Sequence, residues 1–449
     1  MDTELRGRTV IVIGAGLAGL TAARDLEAHG ASVMIIEARD RVGGRVHTVR
    51  GIFESDQHGE AGADLIEGEQ TLALKLAKEV GLEPRRILRA GFSYYGPDSS
   101  GRNRAWKRPV IWEELAKRLR PEIDAYKAAG ERWDSGVACA LGPVSVAQWL
   151  RAQKADVSFD IGVRAMRGFF LADPEDLSLL PMVDQFAQGG APGEGEIYRI
   201  PGGNDLLPMR LADRLRAPIL LRALVQSITQ KGETVTVRVR EHSGHQEFTA
   251  DFVVAAVPAT TLQRIKMTPA LPSQQRKAIS GLHYGPATRV LLQFERPFWR
   301  TRLKHRAFGT ALPIGAVWDA SEHQPGKQGM LMLLAGGRGS IECREILRRE
   351  GPDGVVDRLR WMGKPAALQA LWHTSWEDDP LAGGGYAIFS PDFDPQLRDW
   401  LRRPAGRVMF AGEHTSIDWE GYMNGAIDSG VRAAAEIRML ARTTIAPLV

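Results

Sequence analysis

Cysteines and long apolar runs are both scarce in this chain, which limits where it can work. Only Cys139 and Cys343 occur in 449 residues. Two thiols cannot build a disulfide framework or a zinc site by themselves, and such a low number is typical of a reducing compartment. No apolar run reaches the roughly 20 residues of a transmembrane helix. The run at residues 10–23 contains glycines, and no small-residue signal-peptide cleavage site follows it. We expect a cytoplasmic protein with no membrane association and no metal site.

An excess of one charge sign is also missing. The chain has 58 basic and 54 acidic residues, a formal net charge of +4. Basic residues cluster at 102–108, but such a run is usually a solvated face. We therefore predict no nucleic-acid partner. The oligomeric state is left open, with a homodimer as one option.

Glycine, by contrast, is abundant. The chain has 48 glycines, well above the usual share of about 7%. No Gly-X-Y period is present, so the excess indicates tight turns or backbone that approaches a ligand closely. Residues 9–13 form a β-branched run that predicts a buried parallel strand. A glycine-rich turn follows, then an apolar helix to about His29, which Gly30 ends, and a second strand over residues 32–37.

This first segment carries a dinucleotide-binding pattern. Gly14, Gly16 and Gly19 have the spacing Gly-x-Gly-x-x-Gly, and Glu37 closes the next strand about 20 residues further on. The first glycine permits the tight turn, the second lets backbone amides approach a pyrophosphate, and the third allows close helix–strand packing. Glu37 is placed for ribose hydroxyls and would repel the 2′-phosphate of NADP. The alternative is a glycine turn in a ligand-free α/β fold.

A second glycine pair follows the acidic strand end. Arg39 and Arg45 flank Gly43 and Gly44. Arginines at this place can neutralise a pyrophosphate while the glycines let the chain pass close to it. Elsewhere in a sequence the same residues would indicate a basic surface turn.

The rest of the chain alternates between helical and strand patterns. Residues 69–186 read as mostly helical, while strands are predicted at 234–239, 251–257 and 289–294, and a final helix at about 424–441. Several strands lie far from the first one, so the nucleotide-binding domain is expected to be assembled from separated pieces.

Together these motifs resemble the flavin-containing amine oxidase family, which includes monoamine, polyamine and L-amino acid oxidases. Further matches are residues 59–68, 201–204, 250–258, 410–416 and 419–426. Many members have an aromatic residue where Asp64 or Leu65 stands here. The match at 410–416 and 419–426 is the most specific, because it pairs a Gly-Glu turn with an aromatic residue and a Gly-Ala helix start.

The resemblance implies an α/β fold in two interleaved domains. A Rossmann-like FAD-binding domain is expected from residues 1–70, 200–277 and 379–449. An α+β substrate-binding domain is expected from residues 71–199 and 278–378.

FAD is the cofactor that the resemblance implies. Glu413 is expected at its ribityl–pyrophosphate region, and the helix that begins near Met423 is expected to point its N-terminal amides at the flavin. Gly385 stands where mammalian monoamine oxidases carry a flavin-linked cysteine, so non-covalent binding is expected. The residues assigned to FAD are Gly14, Gly16, Ala18, Gly19, Glu37, Arg39, Gly43, Gly44, Arg45, Val225, Gly412, Glu413, Tyr422 and Met423.

Two tyrosines are candidates for the reaction site. By resemblance, Tyr386 and Tyr422 face each other in front of the flavin and hold the substrate amine, which aromatic faces attract. The alternative is two packed tyrosines with satisfied hydroxyls. Trp376 matches an aromatic residue near the same flavin edge. Glu67 is a candidate for binding a second cationic group, although a solvated surface glutamate is the more ordinary interpretation.

Arg289 is the most informative departure from the family pattern. Most members have a lysine there, which holds a water against the flavin and assists reoxidation by oxygen. Arginine is planar and permanently charged, and mimics lysine poorly. It can still hold the water and favour superoxide, it can slow oxygen use, or it can bind a substrate carboxylate.

The resemblance therefore implies an FAD-dependent oxidoreductase that transfers hydride from the carbon beside an amine, with oxygen or another electron acceptor. An amine dehydrogenase and an L-amino acid oxidase are alternatives. A flavoprotein desaturase and a non-catalytic flavin-binding protein are alternatives from other classes. Tyr386 and Tyr422 are expected to contact the substrate amine, and Arg289 and Trp376 to complete the catalytic group.

Overall fold

The computed structural model describes residues 4–98, 100–106, 110–188, 195–242 and 244–445. Residues 107 and 108 of the basic run lie outside the described residues. A five-stranded parallel sheet forms one half of the structure. Its strands, from edge to edge, are Ile219–Leu220, Ser32–Ile36, Thr9–Ile13, Phe252–Ala255 and Val408–Phe410.

Alternate side chains of the first strand enter two different cores. Val10 and Val12 pack under the helices Leu17–Ala28 and Met423–Ile445. Ile11 and Ile13 face the opposite way, toward a four-stranded sheet. Because both faces are covered, the strand consists of continuous β-branched residues, as expected of a buried parallel strand.

The four-stranded sheet has the order Gly244–Ala250, Thr234–Glu241, Leu224–Lys231 and Lys266–Thr268. The predicted strands at 9–13, 32–37, 234–239 and 251–257 and the C-terminal helix are confirmed, with ends that differ by up to four residues. Gly30 follows the first helix with φ +94°, as expected of a residue that ends a helix.

A seven-stranded sheet forms the other half. Its order is Leu368–Ser375, Ala287–Phe294, Gly329–Gly336, Ala316–Asp319, Ala307–Thr310, Phe92–Pro97 and Asn103–Ala105. The helix Arg338–Asp357 packs on one face through Cys343 and Ile346. Leu291 and Trp318 belong to the core on the other face.

The segment predicted as mostly helical contains helices interrupted by short strands. The strands Phe92–Pro97 and Asn103–Ala105 extend the seven-stranded sheet. Aromatic residues of Phe92–Pro97 are buried in the hydrophobic cores beside that sheet. The helices of this segment are Thr71–Glu79, Val110–Arg118, Arg120–Ala128, Gly136–Leu141, Val146–Ala152, Val157–Arg164, Arg167–Phe170 and Leu179–Ala187.

Shorter elements connect the two halves. Ile66–Glu67, Ile197–Arg199 and Arg85–Ile87 form a three-stranded sheet. Two-strand pairs join Thr48–Val49 with Gly59–Glu60 and His283–Tyr284 with Ala387–Ile388. The remaining helices and 3₁₀ turns are Glu54–Asp56, Leu206–Ala212, Ala259–Leu262, Ser273–Gly281, Phe298–Thr301, Arg360–Met362, Trp376–Asp378, Pro395–Leu401 and Glu413–Thr415.

The strands of the two large sheets come from alternating parts of the chain. All five parallel strands lie within residues 1–70, 200–277 and 379–449, and all seven strands of the other sheet lie within 71–199 and 278–378. The domain boundaries themselves stay a prediction. Within the described ranges, every helix is too short or too polar to cross a membrane.

Candidate active site

A cavity of about 1400 Å³ runs along the carboxyl ends of the parallel strands and into the other half of the structure. It exceeds the roughly 300–1,000 Å³ of pockets for drug-sized ligands. Every residue assigned above to cofactor, substrate or catalysis lines this cavity, except Gly19. The segments that supply these residues lie as far apart as Gly14 and Met423.

The three glycines of the first turn have three different environments. Gly14 has φ +102°, and a Cβ there would lie 2.6 Å from the carbonyl oxygen of Ala256. A Cβ on Gly16 would meet no protein atom within 4 Å, because this residue faces the open cavity. A Cβ on Gly19 would overlap the carbonyl oxygen of Gly14. Gly19 therefore permits helix packing, as expected, and does not reach the cavity.

Glu37 is held at the end of its strand by two backbone amides. Its carboxylate oxygens accept hydrogen bonds from Ala15 N at 2.7 Å and from Arg39 N at 2.8 Å. Gly43 N donates to Ala15 O at 2.9 Å, which joins the second glycine pair to the first turn. A buried carboxylate thus stands beside the open backbone at Gly16.

Arg45 joins the N-terminal motif to the C-terminal one. One of its nitrogens donates to Glu413 Oε1 at 2.9 Å and to Gly385 O at 2.8 Å. The other carboxylate oxygen of Glu413 accepts from Gly421 N at 3.0 Å. Burial alone would raise the pKa of Glu413, but the charge of Arg45 brings it below its ordinary value. The charge of Arg45 is thus matched within the protein.

Arg39 has a partner of its own. Its guanidinium forms a 2.8 Å ion pair with Asp379 and lies 6.0 Å from the ring centre of Trp376. Trp376 is buried and donates to Ala61 O at 2.8 Å. These bonds fix an arginine and an indole on the cavity wall.

The two candidate tyrosines line the same cavity. Tyr386 donates its hydroxyl hydrogen to Phe169 O. A Cβ on Gly421, the neighbour of Tyr422, would lie 3.3 Å from the ring of Tyr386. Burial raises the pKa of both phenols, and the charge of Glu67 raises the pKa of Tyr422 further. Both hydroxyls therefore stay neutral at neutral pH.

Glu67 is half-buried on the cavity wall, at the end of the strand Ile66–Glu67. It is close enough to Tyr422 for its charge to influence that phenol. Glu67 thus lies where a ligand in the cavity can meet it, and its role in binding a second cationic group stays a prediction.

Arg289 lies on the strand Ala287–Phe294 and is only 8% exposed. Its guanidinium carbon is 5.3 Å from the ring centre of Trp318. Among the described residues, none forms a hydrogen bond or an ion pair with it, and its Nη1 is buried without a partner. Burial lowers its pKa, and the charge of Asp64 opposes that change.

Sequence reasoning missed the residues that support Arg289. Asp64 accepts from Trp318 Nε1 at 2.7 Å and from Arg199 Nε at 2.6 Å. No motif marks Trp318 or Arg199, since these contacts join residues more than 100 positions apart. The one available signal in the sequence is that, by resemblance, an aromatic residue is expected where Asp64 or Leu65 stands.

A polar cluster on another part of the cavity wall was also missed. Asp184 accepts from Trp133 Nε1 at 3.2 Å, and Arg398 lies 5.3 Å from the ring centre of Trp133. Arg398 also pairs with Glu420 at 2.9 Å. Asp184 and Trp133 lie in the helical segment, where sequence motifs are weakest.

The residues present fit FAD. The open turn at Gly16, the carboxylate of Glu37 and the N-terminus of the helix Met423–Ile445 are arranged along one elongated cavity. Backbone amides at a helix start bind pyrophosphate, and a carboxylate at the second strand binds ribose.

Comparison with known proteins agrees with this arrangement. Residues 17–438 match the family described as flavin containing amine oxidoreductase. AofH of Mycobacterium tuberculosis, named provisionally as a flavin-containing monoamine oxidase, is 30% identical over 96% of both chains. Flavin-containing amine oxidase A of Sus scrofa is 26% identical over 95% of this chain and 84% of its own.

Solved structures give the same result. Cyclohexylamine oxidase from Brevibacterium oxydans superposes with a TM-score of 0.84 at 25% identity, covering 97% of this chain and 99% of its own. The α/β fold is that of FAD-dependent amine oxidases, with a Rossmann-like domain and a substrate domain. The chain therefore belongs to the flavin-containing amine oxidoreductase family, whose members are FAD-dependent oxidoreductases that act on amines.

Proposed function

We propose that this enzyme oxidises a small amine at the carbon beside the nitrogen and passes the electrons to oxygen. One observation carries the proposal. Tyr386, Tyr422 and Trp376 line the cavity onto which the N-terminal dinucleotide turn opens. An amine placed between the tyrosines is therefore inside the space that would hold the cofactor.

FAD is proposed to bind without a covalent bond. Of the described residues that line the cavity, none is a cysteine. A Cβ on Gly385 would lie 2.8 Å from the Cβ of Ala287 and would overlap the side chain of Leu171. The residues proposed to hold FAD are Gly14, Gly16, Ala18, Glu37, Arg39, Gly43, Gly44, Arg45, Val225, Gly412, Glu413, Tyr422 and Met423, with Gly19 supporting the turn.

When bound, the flavin supplies the two-electron acceptor that takes a hydride from the substrate, which leaves as an imine and is hydrolysed by water. The chain's own task is to bind, orient and desolvate the amine. The faces of Tyr386 and Tyr422 attract the amine, and the surrounding apolar residues favour its neutral form. Since only the neutral amine has a free lone pair, the rate is expected to rise with pH through the amine pKa.

Glu67 is proposed to bind a second cationic group of the substrate where one is present. It lies on the Tyr422 side of the cavity, as the effect of its charge on that phenol indicates. A diamine would then place one nitrogen between the tyrosines and the other at Glu67. Two free cysteines are compatible with the proposed cytoplasmic location.

The proposal is tested by anaerobic mixing of the purified FAD enzyme with a panel of amines and amino acids. Bleaching of the flavin absorbance by one or more of them is expected. A flavin that no compound bleaches would instead favour a structural or regulatory cofactor. A rate that stays flat across the substrate amine's pKa would contradict the role of the two tyrosines.

The acceptor is tested by mixing the reduced enzyme with oxygen. Rapid reoxidation with formation of H₂O₂ is expected of an oxidase, whereas slow reoxidation that an artificial acceptor accelerates would indicate a dehydrogenase. The variant Arg289→Lys, which restores the residue that the resemblance implies at this position, tests whether Arg289 slows reoxidation. An oxygen rate constant that does not rise on this substitution would contradict the idea that Arg289 limits reoxidation.

A further inference from the structure

Arg289 is a buried cation whose charge is not matched by its surroundings. Asp64, the acid whose charge influences it most, already uses one oxygen for Arg199 and the other for Trp318. Asp319 is paired with Arg300 at 2.7 Å. A buried guanidinium without hydrogen-bond partners is strongly destabilising, so a ligand is expected to supply the missing acceptor.

Glu60 does not supply the missing charge. Its carboxylate accepts from Thr48 Oγ1 and Asn204 N. Burial, together with the negative charge of Asp64, raises the pKa of Glu60 to about 8, so it is mostly protonated at neutral pH. Two arginines, Arg199 and Arg289, therefore share the single negative charge of Asp64, and this part of the cavity wall is left with one net positive charge.

Charges of opposite sign act on the two tyrosines. The charge of Arg289 acts on the phenol of Tyr386, and the charge of Glu67 acts on that of Tyr422. All four residues line the cavity. A cationic side chain therefore lines the same cavity as the tyrosine pair, which suits a ligand that carries a negative charge beside its amine.

We propose that Arg289 forms a carboxylate subsite, so that the preferred substrate is an α-amino acid whose amine lies between Tyr386 and Tyr422. The inference rests on the proposed amine oxidation and names its substrate class. The planar guanidinium matches the two oxygens of a carboxylate, which an ammonium group does not. The guanidinium of Arg289 lies over the ring of Trp318. Asp64 holds that indole in place by accepting a hydrogen bond from its Nε1.

The experiment compares compounds that differ only in the carboxylate. The FAD enzyme is mixed anaerobically with phenethylamine or phenylalanine, isoamylamine or leucine, and cadaverine or lysine, with both enantiomers of each amino acid. In at least one pair, the rate of flavin reduction divided by the dissociation constant is expected to be about 100-fold higher for the amino acid. Arg289→Met is expected to lower this value far more for the amino acid than for the plain amine, so that the ratio between the two falls to about one.

Arg289→Lys provides the conservative variant. It keeps the positive charge but loses the planar guanidinium that can donate two hydrogen bonds to one carboxylate. An intermediate preference for the amino acid over the plain amine is therefore expected. Benzoate, a carboxylate without an amine, gives a binding readout that needs no turnover. It is expected to perturb the flavin absorbance spectrum, and Arg289→Lys is expected to weaken its binding about tenfold at unchanged FAD content.

Two outcomes would overturn the inference. The first is wild-type enzyme that reduces its flavin faster with the plain amine in every pair, in which case the proposed amine oxidation would stand without the subsite. The second is an equal loss for both members of each pair in Arg289→Met, which would make the cofactor or a bound water the partner of Arg289. Failure of every amine and amino acid would instead contradict the proposed function itself.

Discussion

Arg45 and Glu413, 368 residues apart in the chain, form a buried ion pair of 2.9 Å on the cavity wall. Glu413 also accepts a hydrogen bond from the backbone of Gly421, and Arg45 also donates to Gly385. One pair thus connects the second glycine motif to both segments that carry the candidate tyrosines.

Glu413→Gln should therefore damage both folding and cofactor binding. The substitution leaves the guanidinium of Arg45 buried without its counter-charge, which costs about 3–5 kcal/mol in comparable cases. Chemical denaturation of the FAD-free protein measures the loss, and titration with FAD measures affinity. Glu79→Gln is the control, because its 2.8 Å pair with Arg24 is about 40% exposed, and less than about 1 kcal/mol is expected there. Equal losses in the two variants would contradict the linking role.

Substitutions at Gly16 and Gly19 should affect different properties, namely FAD binding at Gly16 and stability at Gly19. A methyl group on Gly16 enters open cavity, so Gly16→Ala should lower the free energy of unfolding by less than about 1 kcal/mol and weaken FAD about tenfold or more by blocking the approach of the pyrophosphate. A methyl group on Gly19 overlaps Gly14 O, so Gly19→Ala should destabilise the FAD-free protein by about 1–3 kcal/mol. The two measurements are denaturation without FAD and an FAD titration. The prediction fails if both variants lose mainly stability.

The parts of this site that the sequence predicts are those with local signals. The turn at Gly14 and the acid at Glu37 follow from the spacing of glycines and the β-branched pattern of two adjacent strands. Their partners inside the turn, such as Ala15 N for Glu37, lie only 22 residues away.

The surroundings of Arg289 have no such local signal. Asp64 meets Arg199 across 135 residues and Trp318 across 254. These contacts join segments that are distant in the sequence, and neither residue type nor spacing encodes how such segments pack together. The position of Glu67 on the cavity wall has no local signal either, since burial by a distant segment is not visible in its own neighbours along the chain.

Glu60 should make the protein less stable as the pH rises. Its pKa is about 8 in the folded protein against an ordinary 4.5, so between these pH values the folded state binds a proton that the unfolded state has lost. By linkage, this contribution to stability is present below pH 4.5 and disappears as the pH rises to about 8. Glu60→Gln should remove that decline, because the amide can still accept from Asn204 N and donate to Thr48 Oγ1. Free energies of unfolding at pH 5, 6.5 and 8 measure the slope, and Glu233→Gln, whose side chain is 72% exposed, should keep the wild-type slope.

Tyr386 tests whether the aromatic face or the hydroxyl group acts on the substrate. Tyr386→Phe keeps the ring and loses the hydrogen bond to Phe169 O, which should cost about 1 kcal/mol of stability and leave flavin reduction within about fivefold of wild type. Tyr386→Leu loses the same hydrogen bond and also the ring, so the rate of flavin reduction divided by the dissociation constant of the amine should fall a further 10- to 30-fold or so, as a cation–π contribution of up to about 2 kcal/mol to binding the amine implies. The phenylalanine variant is thus the control for the leucine variant. Anaerobic stopped-flow absorbance measures both, and equal values in the two variants would mean that the ring face contributes nothing to holding the amine.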